Sequence, residues 1–201
     1  RLYCDHSLLT ADERITDEVS KVFTFFNNNF KTGNYKHLIV SPFFSRKKFI
    51  KLIQNEIKIA TQGKKGYMIL KLNNLVDEKI INKLYDASNA GVKIKLLVRS
   101  TCSVVPQLKK LSENIQAFSI VDKYLEHARI FLFGNNGQEK IFISSADWMV
   151  RNFDQRSEVT VPIYDKQIKA DIKAMLDIQL ADNVKARIID QDQINAFKPV
   201  A

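Results

Sequence analysis

The chain is short of cysteine. Among 201 residues only Cys4 and Cys102 carry a thiol, too few for a disulfide framework or a cysteine metal cluster, and that usage points to a reducing compartment. Also missing is any apolar run near the ~20 residues that a membrane-spanning helix needs. "RLYCDHSLLT" opens the chain with neither an initiator Met nor the pattern of a signal peptide. A motif-like run at the first position leads us to expect one domain cut from a longer protein. No internal repeat or low-complexity tract is visible.

What is present is a globular composition. The hydrophobic fraction is 45%, which in a chain of this size suffices for one continuous core. Lys and Arg number 31 against 22 Asp and Glu, a formal charge of +9. Such an excess favours polyanions without choosing among nucleic acid, inorganic phosphate chains and anionic lipid.

Thr10 and Glu13 have the spacing of a capping box, and Ile15, Val19, Val22 and Phe26 then share one face, predicting a helix over 11–27. "HLIVSPF" reads as a buried strand ending at Pro42. "SRKKFIKLIQNEIKIA" repeats Phe49, Ile53, Ile57 and Ala60 at helical spacing. The strand "YMILKLN", the helix "DEKIINKLYDASNAG" with Gly91 just past its end, and the strand "VKIKLLVRS" follow. This alternation predicts parallel neighbours joined by right-handed crossovers. After Ser100, "AFSIV", "HARIFLF", "KIFISS" and "EVTVPI" read as strands, with "GNNG" as a turn between the middle pair. An amphipathic helix over 165–181 and "VKARIID" as an edge strand complete an α/β fold, a mixed sheet flanked by helices.

Ligands of such sheets gather at the carboxyl ends of strands. Ser41 and Arg46 fall after the first strand, Asn73 and Asn74 after the second, Arg99 after the third. His127 and Arg129, two apart in a strand-like run, point to the same face. An imidazole can attack phosphorus or pass a proton, while a guanidinium neutralises the nonbridging oxygens. Ser144, Ser145 and Asp147 follow the next strand, where they could hold phosphate oxygens or orient an imidazole. Arg156 and Glu158 share one face and supply a cation and a carboxylate partner for a histidine. The plain alternative is a salt-bridged strand edge.

These pieces resemble the half-site of the phospholipase D superfamily, in which a histidine is followed two residues later by Lys and then by a Gly-Ser-x-Asn turn. Here Arg129 stands for the Lys, Ser144 for the Gly and Asp147 for the Asn, departures that weigh against a plain phosphodiesterase. A closer resemblance is to the polyphosphate kinases that make long inorganic polyphosphate from ATP. It is carried by "RLYCDHSLLTADERITDEV", "LIVSPFFSRKKF", "LKLNNLVDEKIINKLYDAS", "GVKIKLLVRSTCSVVP", "IVDKYLEHARIFLF", "ISSADWMVRNFDQRSEV" and "VKARIID", from Arg1 to about Asp190.

That resemblance implies a phospholipase D-like half, with residues 1–201 forming a single C-terminal catalytic domain of a larger enzyme. It implies that Tyr3, in "RLY", and Arg99, in "LLVR", contact the nucleotide, and that Arg156 faces its phosphates. His127 becomes the second of two essential histidines; the phosphorylated one lies in an upstream domain, as do the metal-associated positions. His6 stands where the family usually shows an aromatic residue and reads as packing, and His37 lies in no motif. The implied partners are ATP or ADP with Mg²⁺, inorganic polyphosphate, the upstream domains and further copies of the enzyme. The implied place is the cytoplasm, with membrane association as an option. Two rivals from other classes are a dimeric phospholipase D-like phosphodiesterase or nuclease, and a non-catalytic binder of polyanions.

Overall fold

The computed structural model describes residues 2–199. In chain order the elements are β1 (Tyr3–Cys4), α1 (Glu13–Asn27), β2 (Ile39–Ser41), α2 (Ser45–Thr61), β3 (Tyr67–Leu72), α3 (Glu78–Asn89), β4 (Lys93–Val98), β5 (Ile115–Ile120), β6 (Leu125–Glu126), β7 (Arg129–Phe133), β8 (Lys140–Ser144), α4 (Val150–Asp154), β9 (Glu158–Ile163), α5 (Lys166–Ala181) and β10 (Ala186–Ile189). One eight-stranded sheet has the order β10-β5-β4-β3-β7-β8-β9-β2, and β1 pairs with β6 in a separate ribbon.

The sheet is mixed, as its sequence predicts, but one strand sits elsewhere than expected. Only β3–β4 and β4–β5 are parallel. Instead of flanking β3, β2 lies at the far edge, antiparallel to β9 with Val40 opposite Val159. The reason lies in what β3 must bury. Met68, Leu70 and Leu72 on one face and Ile69 on the other are all nearly inaccessible, so β3 needs a fully apolar neighbour on each side. Ile130 to Phe133 of β7 satisfy this, whereas the three residues of β2 are too few.

The pairing directions set up the site. With β3 as reference, β2, β4, β5 and β8 run with it and β7, β9 and β10 run against it. The carboxyl ends of the first group and the amino ends of the second therefore share one end of the sheet.

Helices cover both faces. Phe49 and Ile53 of α2 and Ile80 and Leu84 of α3 pack with Met68, Leu70, Leu96, Phe131 and Phe133. On the other face Ile172, Leu176 and Leu180 of α5 meet Ile69, Ile130, Leu132 and Ile141. Each such side chain contributes about 1.5–3 kcal/mol by leaving water. Gly91, with φ 91°, closes α3 in the left-handed region as its position after the helix predicts.

Helix α1 departs from its sequence reading in two details. Its cap is Asp12, whose carboxylate accepts the Arg14 N–H at 3.0 Å, while the Thr10 hydroxyl accepts from Asp12 N at 3.1 Å. The short carboxylate nearer the helix displaces the predicted capping box. Phe26 is largely exposed, and the buried face instead carries Glu18 between Ile15 and Val22. The Glu18 carboxylate accepts the backbone N–H groups of Lys36, His37 and Leu38. Burial pushes its pKa up, but those three donors bring it below the usual value. The ribbon β1–β6 and the short α4 have no counterpart in the periodicity, being too short to show one. Among the described residues no helix is long and apolar enough to cross a membrane, and nothing in them supports membrane association.

Candidate active site

The loops after β3 and after β8 are locked together by one carboxylate. Asp147, 5% exposed, accepts from Asn73 N at 2.8 Å, from Asn74 N at 3.2 Å and from Asn74 Nδ2 at 2.9 Å. Arg129 approaches the same group, Nε at 3.3 Å and Nη2 at 3.4 Å. Burial raises the Asp147 pKa, yet the Asn74 amide and the Arg129 guanidinium hold it below the ordinary range. Asp147 is thus turned inward with its oxygens occupied, and its place in this geometry is to hold Arg129 rather than to face a phosphate. Arg129 and Asp147 thus act as a pair.

His127 lies just outside β7, which begins at Arg129, yet the two side chains meet as the strand reading predicts. Arg129 Nη1 is 3.2 Å from His127 Nδ1 and 3.1 Å from Nε2. Asp5 Oδ2 lies 2.7 Å from Nδ1. A carboxylate there requires a proton on Nδ1, so the neutral ring presents Nε2 as an acceptor, and Arg129 donates to it. The ring of Tyr3 meets the imidazole edge to face, 5.0 Å between centroids. This arrangement follows from the ribbon: Tyr3 pairs with Leu125 and Cys4 with Glu126, and His127 N donates to Cys4 O at 3.1 Å.

Asn73 is the bridge to the third strand. Its Nδ2 donates to His127 O at 3.3 Å, and its Oδ1 accepts from Arg99 Nε at 2.7 Å. Arg99 is half-buried at the end of β4, so the guanidinium and the histidine backbone are two steps of one chain of contacts.

An open cavity of about 340 Å³ is lined by Asp5, His6, His127, Arg129, Ser144 and Ser145, among others. The Ser144 hydroxyl pairs with Thr160 Oγ1 at 2.6 Å and accepts from Ala146 N at 3.0 Å. Ser145 donates to Glu158, whose other oxygen accepts from Asn152 Nδ2 at 2.6 Å. Arg156 is exposed at the same end of the sheet, and its side chain has no hydrogen bond or ion pair among the described residues. Tyr3, 65% exposed, stands at the rim beside His127.

Three further readings of polar residues change. His6 is exposed and lines the cavity, so it is not a packing residue. Ser41 is buried against Ser45 Oγ at 2.8 Å. Arg46 is spent on Asp77 at 2.9 Å and on Asp154 through two bonds of 2.6 Å. Asp5 is the residue that the sequence reading missed. Its signal was faint: it lies two residues after Tyr3, on the continuation of a two-residue strand.

Comparison with known proteins follows the same lines. A family model described as "Polyphosphate kinase C-terminal domain 2" matches residues 38–200. The polyphosphate kinase of Salmonella typhimurium is 49% identical over 199 residues, 99% of this chain but 29% of that enzyme, so the chain spans under a third of its relative. The crystal structure of polyphosphate kinase from Porphyromonas gingivalis superposes with a TM-score of 0.90 at 40% identity, over 96% of this chain and 30% of that one. Nuc from Salmonella typhimurium, a phospholipase D family member, superposes with a TM-score of 0.53 at 12% identity over 77% of this chain and 97% of its own, a likeness of fold alone. With a match across nearly its whole length and identity near one half, this chain belongs to the polyphosphate kinase family and corresponds to its C-terminal domain.

Proposed function

We propose that residues 1–201 form the C-terminal catalytic domain of a larger polyphosphate kinase. That enzyme would act in the cytoplasm as a homo-oligomer and move the γ-phosphoryl of ATP reversibly onto inorganic polyphosphate. In the first step a nitrogen of a histidine upstream of this chain bonds to the γ-phosphorus and the bond to the ADP oxygen breaks. In the second the terminal oxygen of a polyphosphate takes the phosphoryl group from that histidine. The observation that carries this reading is the grouping of His127, Asp5, Arg129 and Tyr3 at one end of the sheet, in a chain of this family.

Each residue has a part that its surroundings suit. The exposed ring of Tyr3 offers a stacking face for adenine. Arg99, aimed by Asn73, and Arg156, whose side chain has no partner among the described residues, present forked donors to the phosphates. Arg129 opposes charge that develops on the transferring group. His127, with Nδ1–H held by Asp5, offers Nε2 to accept a proton or to stabilise the group in transit. The Ser144 and Ser145 hydroxyls border the same cavity. Mg²⁺ would come with the nucleotide.

The test uses the chain with ATP labelled at the γ-phosphate, with and without the rest of the enzyme. The chain alone should bind magnesium-ATP but acquire no acid-labile phosphate and extend no polyphosphate, because the nucleophile must sit ~3–3.5 Å from phosphorus and is supplied from elsewhere. Label on His127 would overturn that division of labour, and cleavage of an offered phosphodiester would move the chain to the dimeric phosphodiesterase class.

A further inference from the structure

A cavity of about 440 Å³ lies apart from the histidine site. It opens at the other end of the sheet and is lined by Lys36, Lys48, Lys51, Lys140 and Lys169, together with His37 and Tyr164. Lys36 and His37 precede β2, Lys140 starts β8, and Tyr164 follows β9. Lys140 and Ser144 lie at opposite ends of β8, about 13 Å apart at the rise of a strand, so the two cavities are separate.

Five ammonium groups share this space, and no Asp or Glu lines it. The neighbouring carboxylates are already engaged. Glu18 takes backbone N–H groups from Lys36, His37 and Leu38. Glu56 accepts from Tyr67 N at 3.2 Å and Asn135 N at 2.7 Å. Glu139 pairs with Lys173 at 2.6 Å. Lys48 and Lys169 are steadied by the neutral carbonyls of Tyr35 at 3.2 Å and Glu139 at 3.0 Å. Lys36, Lys51 and Lys140 are exposed, and their ammonium groups have no partner among the described residues. Glu56 lies within the field of Lys140 and Glu139 within that of Lys169, but the five lysines outnumber these carboxylates and none forms an ion pair with them among the described residues; an anion in their midst relieves the repulsion that remains.

The lining also selects the kind of anion. Lysines act as point charges without the planar fork that fits one fixed geometry, so they suit a flexible chain of charged units. A nucleic acid or nucleotide would gain from a free aromatic platform. Of the rings in the lining, Phe142 is buried, and Tyr164 is covered by the Arg14 guanidinium at 4.0 Å with its hydroxyl bound to His37 Nδ1 at 2.6 Å. Asn55, the one amide in the lining, is tied to Asn135 at 3.0 Å. We infer that this cavity is a second polyanion site that holds a stretch of inorganic polyphosphate away from the histidine end; the choice of polyphosphate rests on the proposed phosphotransfer. A chain held there keeps its remaining length close to the protein and raises its effective concentration at the site of transfer.

The experiment titrates the purified chain with inorganic polyphosphate of defined length, with magnesium-ATP, and with a single-stranded oligonucleotide of matched charge. Replacing Lys36, Lys51 and Lys140 together by Gln should weaken polyphosphate binding about tenfold, the sum of three exposed ion pairs, and flatten its salt dependence. ATP binding should be unchanged, and so should the melting temperature. Polyphosphate should also protect the three lysines of the unsubstituted chain from acetylation, a readout that needs no variant. Unchanged polyphosphate affinity in the triple variant, or no protection, overturns the inference. Tighter, lysine-dependent binding of the oligonucleotide overturns it in favour of nucleic acid. Failure of ATP to bind while the lysine effect persists would sink the nucleotide reading and leave the second site standing.

Discussion

At the end of the sheet that carries His127, Arg129 meets Asp147, His127 meets Asp5 and Arg99 meets Asn73. At the opposite end, Lys48 and Lys169 of the larger cavity are held by backbone carbonyls, and the ammonium groups of Lys36, Lys51 and Lys140 have no hydrogen-bond or ion-pair partner among the described residues. The first arrangement ties most of its charged groups to defined partners and gains fixed positions. The second leaves them unspent and gains a field. Chemistry at a phosphorus atom requires the former, since misplacement of reacting groups by an ångström is costly. Retention of a flexible polyanion requires only the latter.

The sharpest way to break the contrast is at the histidine. His127→Ala in the complete enzyme should lower turnover ~10²–10⁴-fold, the range for loss of a positioned acid–base group, while the melting temperature barely moves because the ring is partly exposed. Steady-state kinetics beside calorimetry would separate the two. Unchanged turnover removes His127 from the chemistry, and a large fall in stability makes it a core residue.

Next in size is the buried pair. Asp147→Ala leaves Arg129, its side chain 14% exposed, without a counter-ion, and denaturant unfolding should show a loss of ~3–5 kcal/mol. The pH dependence has a definite sign. Because the folded-state pKa of Asp147 is depressed, its contribution is complete above the unfolded value of about 4 and fades as pH falls below that through the lower folded value. Asp147→Asn should flatten the acid limb of a stability profile in that window and leave the neutral region's slope unchanged.

Smaller effects follow at Arg99 and at the lysines. Arg99→Ala should weaken magnesium-ATP binding by ~1–3 kcal/mol, the range for a charge-assisted contact. Asn73→Ala should cost less, and the double variant should show coupling of ~0.5 kcal/mol or more, since Asn73 aims Arg99. Strict additivity in titration calorimetry would mean that Asn73 does not position it. The smallest change is expected at the far end, where exchanging Lys36, Lys51 and Lys140 for Gln should shift unfolding by no more than ~0.5 kcal/mol.

Much of this was legible in the chain. Period and punctuation locate the main helices and strands, and the spacing of His127 and Arg129 anticipates their contact. Partners across the fold were not legible. Nothing local tells β2 that its neighbour is β9, because pairing depends on which strands need two buried faces. Asp147 resembles any loop carboxylate until Asn73 and Asn74 are seen to close over it. Asp5 reaches His127 only through a ribbon of two residues per strand, too short for any period. The lysines of the larger cavity are scattered from position 36 to position 169, on four separate stretches of chain, so no run of charge announces them.

The placement of β2 has a consequence for the order of assembly. Val40 waits for Val159, so this edge of the sheet can close only after the residues between them have been made, whereas β3 and β4 can join as soon as α3 has folded between them. Contacts so far apart along the chain are slow to form. During synthesis, β2, α1 and the lysines that precede β2 would remain undocked until β9 emerges. The edge of the sheet beside the lysine cavity therefore takes shape long after its own strand has been made.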